Sequence, residues 1–186
     1  DDSLLSVNPN TGDVDVLVSK NDMKDLPGIS NVDLDGGLVQ GSDGTIYLAS
    51  DSDPNAIFAV DPATGTPSVV ASGGALNGAD LKGYMVEAPN GDLIVADSSW
   101  NGDVLRIDPS DGTVSTFLTG GAIEDALGGD FHLAGGIAFD ADGNFYLTDE
   151  NDDSVYKFNV DDVSNGTIDP DSGSLYLSEN DIESAT

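Results

Sequence analysis

The chain has 186 residues, enough to bury a core, and sets 35 Asp and Glu against 5 Lys and Arg for a net charge of −30. That charge repels phosphates and excludes a nucleic-acid partner; the absence of Cys excludes disulfides and thiolate metal sites. No apolar run approaches the roughly 18 residues that a membrane-spanning helix needs.

Of the acids, 30 are Asp and 5 are Glu. Asp favours turns and caps, whereas a helical acidic protein favours Glu, so the bias points to a loop-rich β-protein. It fits an extracellular or cell-surface (secreted) setting containing calcium, or a high-salt environment. The chain does not begin with Met, which is compatible with a removed signal peptide or with a piece of a longer protein.

In chain order, short alternating apolar runs bounded by Asp, Asn and Gly predict strands A to D of repeated units. The first unit has only C and D, Leu4 to Val7 and Val14 to Val18. The second is complete: Leu38 to Gln40, Thr45 to Ala49, Ile57 to Val60 and Ser68 to Ala71. The third runs Tyr84 to Ala88, Asp92 to Ala96, Val104 to Ile107 and Val114 to Leu118. The fourth opens with Ile137 to Asp140, Phe145 to Thr148 and Ser154 to Val160. Single helical turns are expected at Asp22 to Leu26 and Ile123 to Leu127, inside the Gly-rich linkers.

Two markers set the period. The turn glycines Gly44, Gly91 and Gly143 lie 47 and 52 residues apart, and Pro9, Pro62 and Pro109, each after a C strand, lie 53 and 47 apart. Four strands in about 50 residues is the period of a β-propeller blade. The fold class is therefore all-β, a β-propeller of four-stranded antiparallel blades with about three and a half to four blades in this chain. Residues 1–186 read as one propeller domain or segment, with units at about 1–19, 37–72, 84–119 and 136–180.

The C-terminus admits two readings. Ser174 to Ser178 is either strand D of the fourth unit or part of a new A–B hairpin running from Asn165 to Glu179. The spacing from Gly173 to Glu179 equals that from Gly143 to Asp149, which favours the hairpin. That hairpin and the N-terminal C–D pair would then be parts of one closing blade. Because an open stack leaves bare edges, the chain is expected to belong to a larger propeller or to self-associate.

The segment Gly135 to Phe158, GGIAFDADGNFYLTDENDDSVYKF, resembles the NHL-type repeat. It is also similar to the wider group of six-bladed propellers with the gluconolactonase/senescence-marker and strictosidine-synthase-like families. The likeness extends over nearly the whole chain as a repeat pattern. It implies fold more than activity, because such propellers include enzymes, scaffolds and binding modules.

The calcium-dependent lactonases of that group hold an ion in the central channel with carboxylates and Asn from several blades. Position six after each turn glycine, at the end of strand B, holds Ser50, Asp97 and Asp149, and Glu179 if a new blade follows. The resemblance implies Asp97 and Asp149 as calcium ligands, with Asp35 in place of the family Glu and Asn165 in place of the ligand Asn. Gly36, Gly83 and Gly135 stand at the positions equivalent to Asn165 and supply no side chain. The competing reading makes Asp97 and Asp149 acceptors for backbone N–H groups of the B–C turn.

Other motifs are weaker. Asp140-Ala-Asp142-Gly-Asn144 resembles a calcium loop, but its Gly is fourth and Asn151 stands twelfth, which makes it a hairpin turn. His132, the single histidine, sits in a Gly-rich linker as a candidate general base or as a packing residue. Trp100 is placed to stack on a sugar or another partner, or to pack on a neighbouring blade. Asn165-Gly-Thr167 matches a glycosylation acceptor and equally an Asn-Gly turn. No nucleophile elbow and no phosphate-binding loop is present. The leading expectation is an acidic binding or structural module with a protein or glycan ligand. The alternative is a calcium-dependent lactonase or esterase.

Overall fold

The structure, a computed structural model, describes residues 2–100, 102–133, 136–159 and 173–184. Strands β1 (Leu4–Val7) and β2 (Val14–Val18) form a two-stranded sheet, and helix α1 (Lys20–Lys24) follows. β3 (Leu38–Gln40), β4 (Ile46–Ser50), β5 (Ala56–Asp61) and β6 (Thr66–Ser72) form a four-stranded sheet in sequential order. β7 (Met85–Glu87), β8 (Leu93–Ala96), β9 (Val104–Ile107) and β10 (Val114–Leu118) repeat it, and α2 (Gly120–Leu127) follows. The last sheet holds β11 (Ile137–Phe139), β12 (Phe145–Asp149), β13 (Ser154–Phe158) and β14 (Ser174–Leu177), before α3 (Glu179–Ser184). All pairings are antiparallel meanders. These are propeller blades, three complete and one half.

The turns explain why the chain reverses where it does. In each A–B hairpin the amide of the turn glycine closes a bond to the carbonyl three residues back, from Gly44 to Gly41, Gly91 to Ala88 and Gly143 to Asp140. Gly44 and Gly91 hold φ of 90° and 91°, a left-handed conformation that a Cβ resists.

The core lies between blades, not within them. Leu4 and Val18 of the half-blade pack with Leu48, Phe58 and Val60 of the second blade. Tyr47, Ala49, Ile57 and Ala71, on that blade's opposite face, pack with Leu93, Val95, Leu105 and Ile107 of the third. Ile94, Ala96, Val104 and Leu118 then meet Phe145, Leu147, Tyr156 and Phe158 of the fourth. Strand alternation produces this layering, since successive side chains point to opposite faces and both faces of an inner blade are apolar. Each fully buried Phe or Leu contributes about 1.5–3 kcal/mol to holding one blade on the next.

Both expected helical turns exist, and both start earlier than expected. Ser19 caps α1 through a reciprocal capping box with Asp22, which begins the helix at Lys20. Thr119 caps α2 by accepting from the Ala122 amide, and Gly128 ends it at φ 77°. The two leading glycines of α2 disguise a helix whose cap nonetheless specifies it.

Of the C-terminal hairpin expected from Asn165 to Glu179, the part before Gly173 lies outside the described residues, and the described part follows the other reading. β14 pairs with β13, Val155 opposite Leu177 and Lys157 opposite Ser174, and so is strand D of the fourth blade. Glu179 opens α3 and does not end a strand. The physical reason is the edge of β13: unpaired, it would present bare N–H and C=O groups, and β14 covers them. Gly173 lies so close to Phe158 that a Cβ would fall 2.5 Å from the ring. A glycine spacing marks a turn but does not say which edge the next strand takes. The half-blade β1–β2 thus has no A–B pair among the described residues.

Candidate functional site

The ends of the B strands carry one bonding pattern three times. Ser50 Oγ accepts the Asp33 amide at 2.9 Å, Asp97 Oδ1 the Asp80 amide at 2.9 Å, and Asp149 Oδ1 the His132 amide at 3.0 Å. Each pair is 17 residues apart. A return bond closes the clamp, from the amides of Asp51, Ser98 and Glu150 to the carbonyls of Asp33, Asp80 and His132, at 3.0, 2.9 and 3.1 Å. The clamp ties the linker entering strand A to the turn leaving strand B. It makes Asp33, Asp80 and His132 equivalent positions in the repeat.

Asp97 and Asp149 also accept from their own B–C turns. Asp97 Oδ1 takes the Ser99 amide at 3.0 Å, and Asp149 Oδ1 takes the Asn151 amide at 2.9 Å. Asp149 is buried; Asp97 is half-buried. Asp35 lies elsewhere, exposed in the linker before β3, with its carboxyl against that of Asp33. That contact is the main cause holding the Asp33 carboxyl above its ordinary pKa, since two like charges resist ionising together. Asn165 lies outside the described residues.

Calcium takes six to eight oxygen ligands. Among the described residues no group of three or more His, Asp or Glu stands in a metal-holding arrangement. Of the described members of the expected ligand set, Asp97 and Asp149 each give Oδ1 to two backbone amides, and Asp35 is paired with Asp33.

The side chains that decorate this rim are chemically varied. Lys82 Nζ lies 3.0 Å from Asp51 Oδ2 of the preceding blade and 3.7 Å from Asp80 Oδ1. The Asp51 hydrogen bond is the first cause raising the pKa of Lys82. Further round, the ring of Trp100 sits 5.0 Å from that of His132, centroid to centroid, and His132 Nδ1 is 3.3 Å from Glu150 Oε2. Trp100 is exposed, and His132 contacts both its ring and the Glu150 carboxylate. Beyond Glu150 a cleft of about 570 Å³ opens between Thr148, Asp149 and Val155 on one side and Glu179 and Ile182 of α3 on the other. Register after the turn glycines singled out Asp97 and Asp149, the family resemblance Asp35 and Asn165, and residue type His132 and Trp100. Those readings missed Asp33 and Asp80, which the 17-residue clamp spacing would have grouped with His132, and Lys82, two residues after Asp80.

The family model described as "Repeat of unknown function (DUF6923)" matches residues 1–167. The chain belongs to this family. Among curated proteins none matches the sequence. Solved structures similar to this DUF6923 chain are β-propellers. One is virginiamycin B lyase from Staphylococcus aureus, at 13% identity and TM-score 0.60, covering 96% of this chain and 50% of the lyase. A nidogen/laminin complex matches at 12% identity and TM-score 0.60, covering 97% of this chain and 57% of that one. A putative gluconolactonase matches at 15% identity and TM-score 0.56, covering 90% and 53%. The DUF6923 chain thus spans about half the length of these propellers, and at such identities the likeness is one of fold.

Proposed function

We propose that this protein is a non-catalytic binding module, an acidic run of propeller blades whose strand-end rim recognises a protein or glycan partner outside the cell or in high salt. One observation carries this reading. Ser50 makes the same clamp bond in the second blade that Asp97 and Asp149 make in the third and fourth. A position where a neutral hydroxyl substitutes for a carboxylate serves the backbone, not chemistry on a substrate. The exposed Trp100 ring, linked to Glu150 through His132, is suited to a sugar ring or to a cationic side chain.

A calcium-dependent lactonase or esterase is the second reading. It draws support from the Asp33–Asp35 carboxyl pair, whose mutual repulsion a cation would relieve. Lactone and aryl-ester hydrolysis, measured with calcium and with a chelator, separates the two. No turnover above background is expected; chelator-sensitive turnover lost in Asp149→Ser would overturn the binding-module reading. Retention on an immobilised oligosaccharide panel or a basic-peptide panel, reduced by Trp100→Ala at an unchanged unfolding midpoint, is the positive result expected.

A further inference from the structure

An asparagine side chain closes most readily on its own backbone when glycine follows, because glycine leaves the next amide uncrowded and free to turn. The sequence holds four such pairs: Asn77-Gly78, Asn90-Gly91, Asn101-Gly102 and Asn165-Gly166. Gly166 lies outside the described residues, and the fold treats the other three glycines differently. The Gly91 amide donates to the Ala88 carbonyl at 2.9 Å, and the Gly102 amide to the Ser99 carbonyl at 2.9 Å. Asn90 is held by its side chain as well, which donates to Asp92 Oδ2 at 2.6 Å and accepts the Asp92 amide at 3.2 Å.

Asn77-Gly78 has neither restraint. Both residues are exposed, in the linker that leads from β6 to β7. They are the central pair of a type II turn, with Asn77 at φ −67° and ψ 128° and Gly78 at φ 92°. The Ala79 amide closes the turn on the Leu76 carbonyl at 3.2 Å. Among the described residues the Gly78 amide donates no hydrogen bond and the Asn77 side chain makes none.

We propose that Asn77 is a site of spontaneous deamidation. The Gly78 nitrogen gives its proton to base and attacks Asn77 Cγ. The N–Cγ bond forms, the Cγ–Nδ2 bond breaks, and the nitrogen that leaves takes a proton and departs as ammonia. Water then opens the five-membered imide at one of its two carbonyls. Opening at Cγ gives aspartate; opening at the backbone carbonyl gives isoaspartate, with the main chain rerouted through Cβ and Cγ. The sum is one water in, one ammonia out and one negative charge added.

The neighbours of the turn give the modification a structural consequence. Buried Asn55 donates through Nδ2 to the Leu76 carbonyl at 2.9 Å and to the Ala79 carbonyl at 2.7 Å, so one side chain fixes both ends of the turn. Leu76 itself is held in the layer between the second and third blades. Isoaspartate adds one main-chain carbon between those two carbonyls, and the turn must bulge or release one of the Asn55 bonds. Asp80, whose amide makes the clamp bond to Asp97, follows at once. Deamidation therefore puts a new carboxylate and a longer backbone into the linker that carries Asp80 and Lys82 to the rim.

The test holds the whole folded chain at mildly alkaline pH, digests it at acid pH and reads the peptides by tandem mass spectrometry. Asn77 should gain about 1 Da, and its peptide should become a substrate for an isoaspartate-specific methyltransferase. The rate should exceed those at Asn90 and Asn101 by about tenfold, the scale that one turn hydrogen bond sets. In urea the three rates should converge, because the difference belongs to the fold. Asn77→Gln, whose longer side chain closes a ring less readily, should abolish the reaction at that position. Amide exchange at Ala79 should be faster in the isoaspartate form than in the unmodified chain. An intact Asn77 in the folded chain, or equal rates at Asn90 or Asn101, would overturn the site. Unchanged exchange at Ala79 in the isoaspartate form would overturn its effect on the Asn55 anchor.

Discussion

The amide of His132 donates to Oδ1 of Asp149 at 3.0 Å, and the amide of Glu150 returns a bond to the His132 carbonyl at 3.1 Å. Asp149 is 4% exposed and accepts a second amide, that of Asn151. Removing it leaves two backbone donors short of an acceptor. Asp149→Ala should therefore destabilise the chain by about 2–4 kcal/mol in urea unfolding. Asp149→Ser should cost no more than about half as much, because Ser50 makes the equivalent bond. Equal losses in the two variants would mean that the carboxylate charge, not the clamp, is what matters.

Asp140 accepts from the Asn144 side chain and amide, from the Asp142 amide and from the Tyr146 hydroxyl. These bonds, the Asn144 side chain foremost, hold its pKa at about 2. A carboxyl whose folded pKa is depressed contributes stability above its unfolded value, and that contribution is lost as pH falls from about 4 towards 2. Carboxylate NMR titration should find Asp140 low in the native chain and higher in Asn144→Ala.

Asp33 has the opposite sign. Its pKa is raised, first by the hydrogen bond with Asp35, so its favourable contribution exists at acid pH and disappears as pH rises through the folded pKa. Asp35→Asn should raise the thermal midpoint near neutral pH and change it little near pH 3. The same shift at both pH values would show that the two carboxyls do not titrate against each other.

Gly44 and Gly65 separate turn strain from blade contact. Both have positive φ, 90° and 67°, yet a Cβ on Gly44 meets nothing within 4 Å while one on Gly65 would lie 2.3 Å from the Leu17 carbonyl oxygen. Gly44→Ala should cost about 1 kcal/mol from backbone strain. Gly65→Ala should cost more, because the first blade must move. Phe145→Ala, which empties a fully buried site beside Phe117 and Phe139, should cost about 3–5 kcal/mol.

Much of this fold was legible before any coordinates. β1, β2, β3, β9 and β10 lie where alternation and the Gly and Pro markers put them, because turn chemistry and strand alternation are local. The partner of β14 was not legible, since edge pairing is a long-range choice. The clamp was hidden for a different reason. It uses the backbone of Asp33, Asp80 and His132, so the side chains at those positions share nothing that a reader of residue types would notice. Asp97 and Asp149 were found by register with Ser50. Whether they faced a cation or an amide depended on a segment 17 residues upstream.

The placement of every buried layer between two blades also sets how the molecule should breathe. Among the described residues, the buried clusters cover the second and third blades on both faces and the first and fourth on one. Amide exchange should then be slowest in β4, β5, β8 and β9 and quicken outward in both directions. The two ends would open while the middle holds, and a covering laid over either end would slow exchange inward from that side.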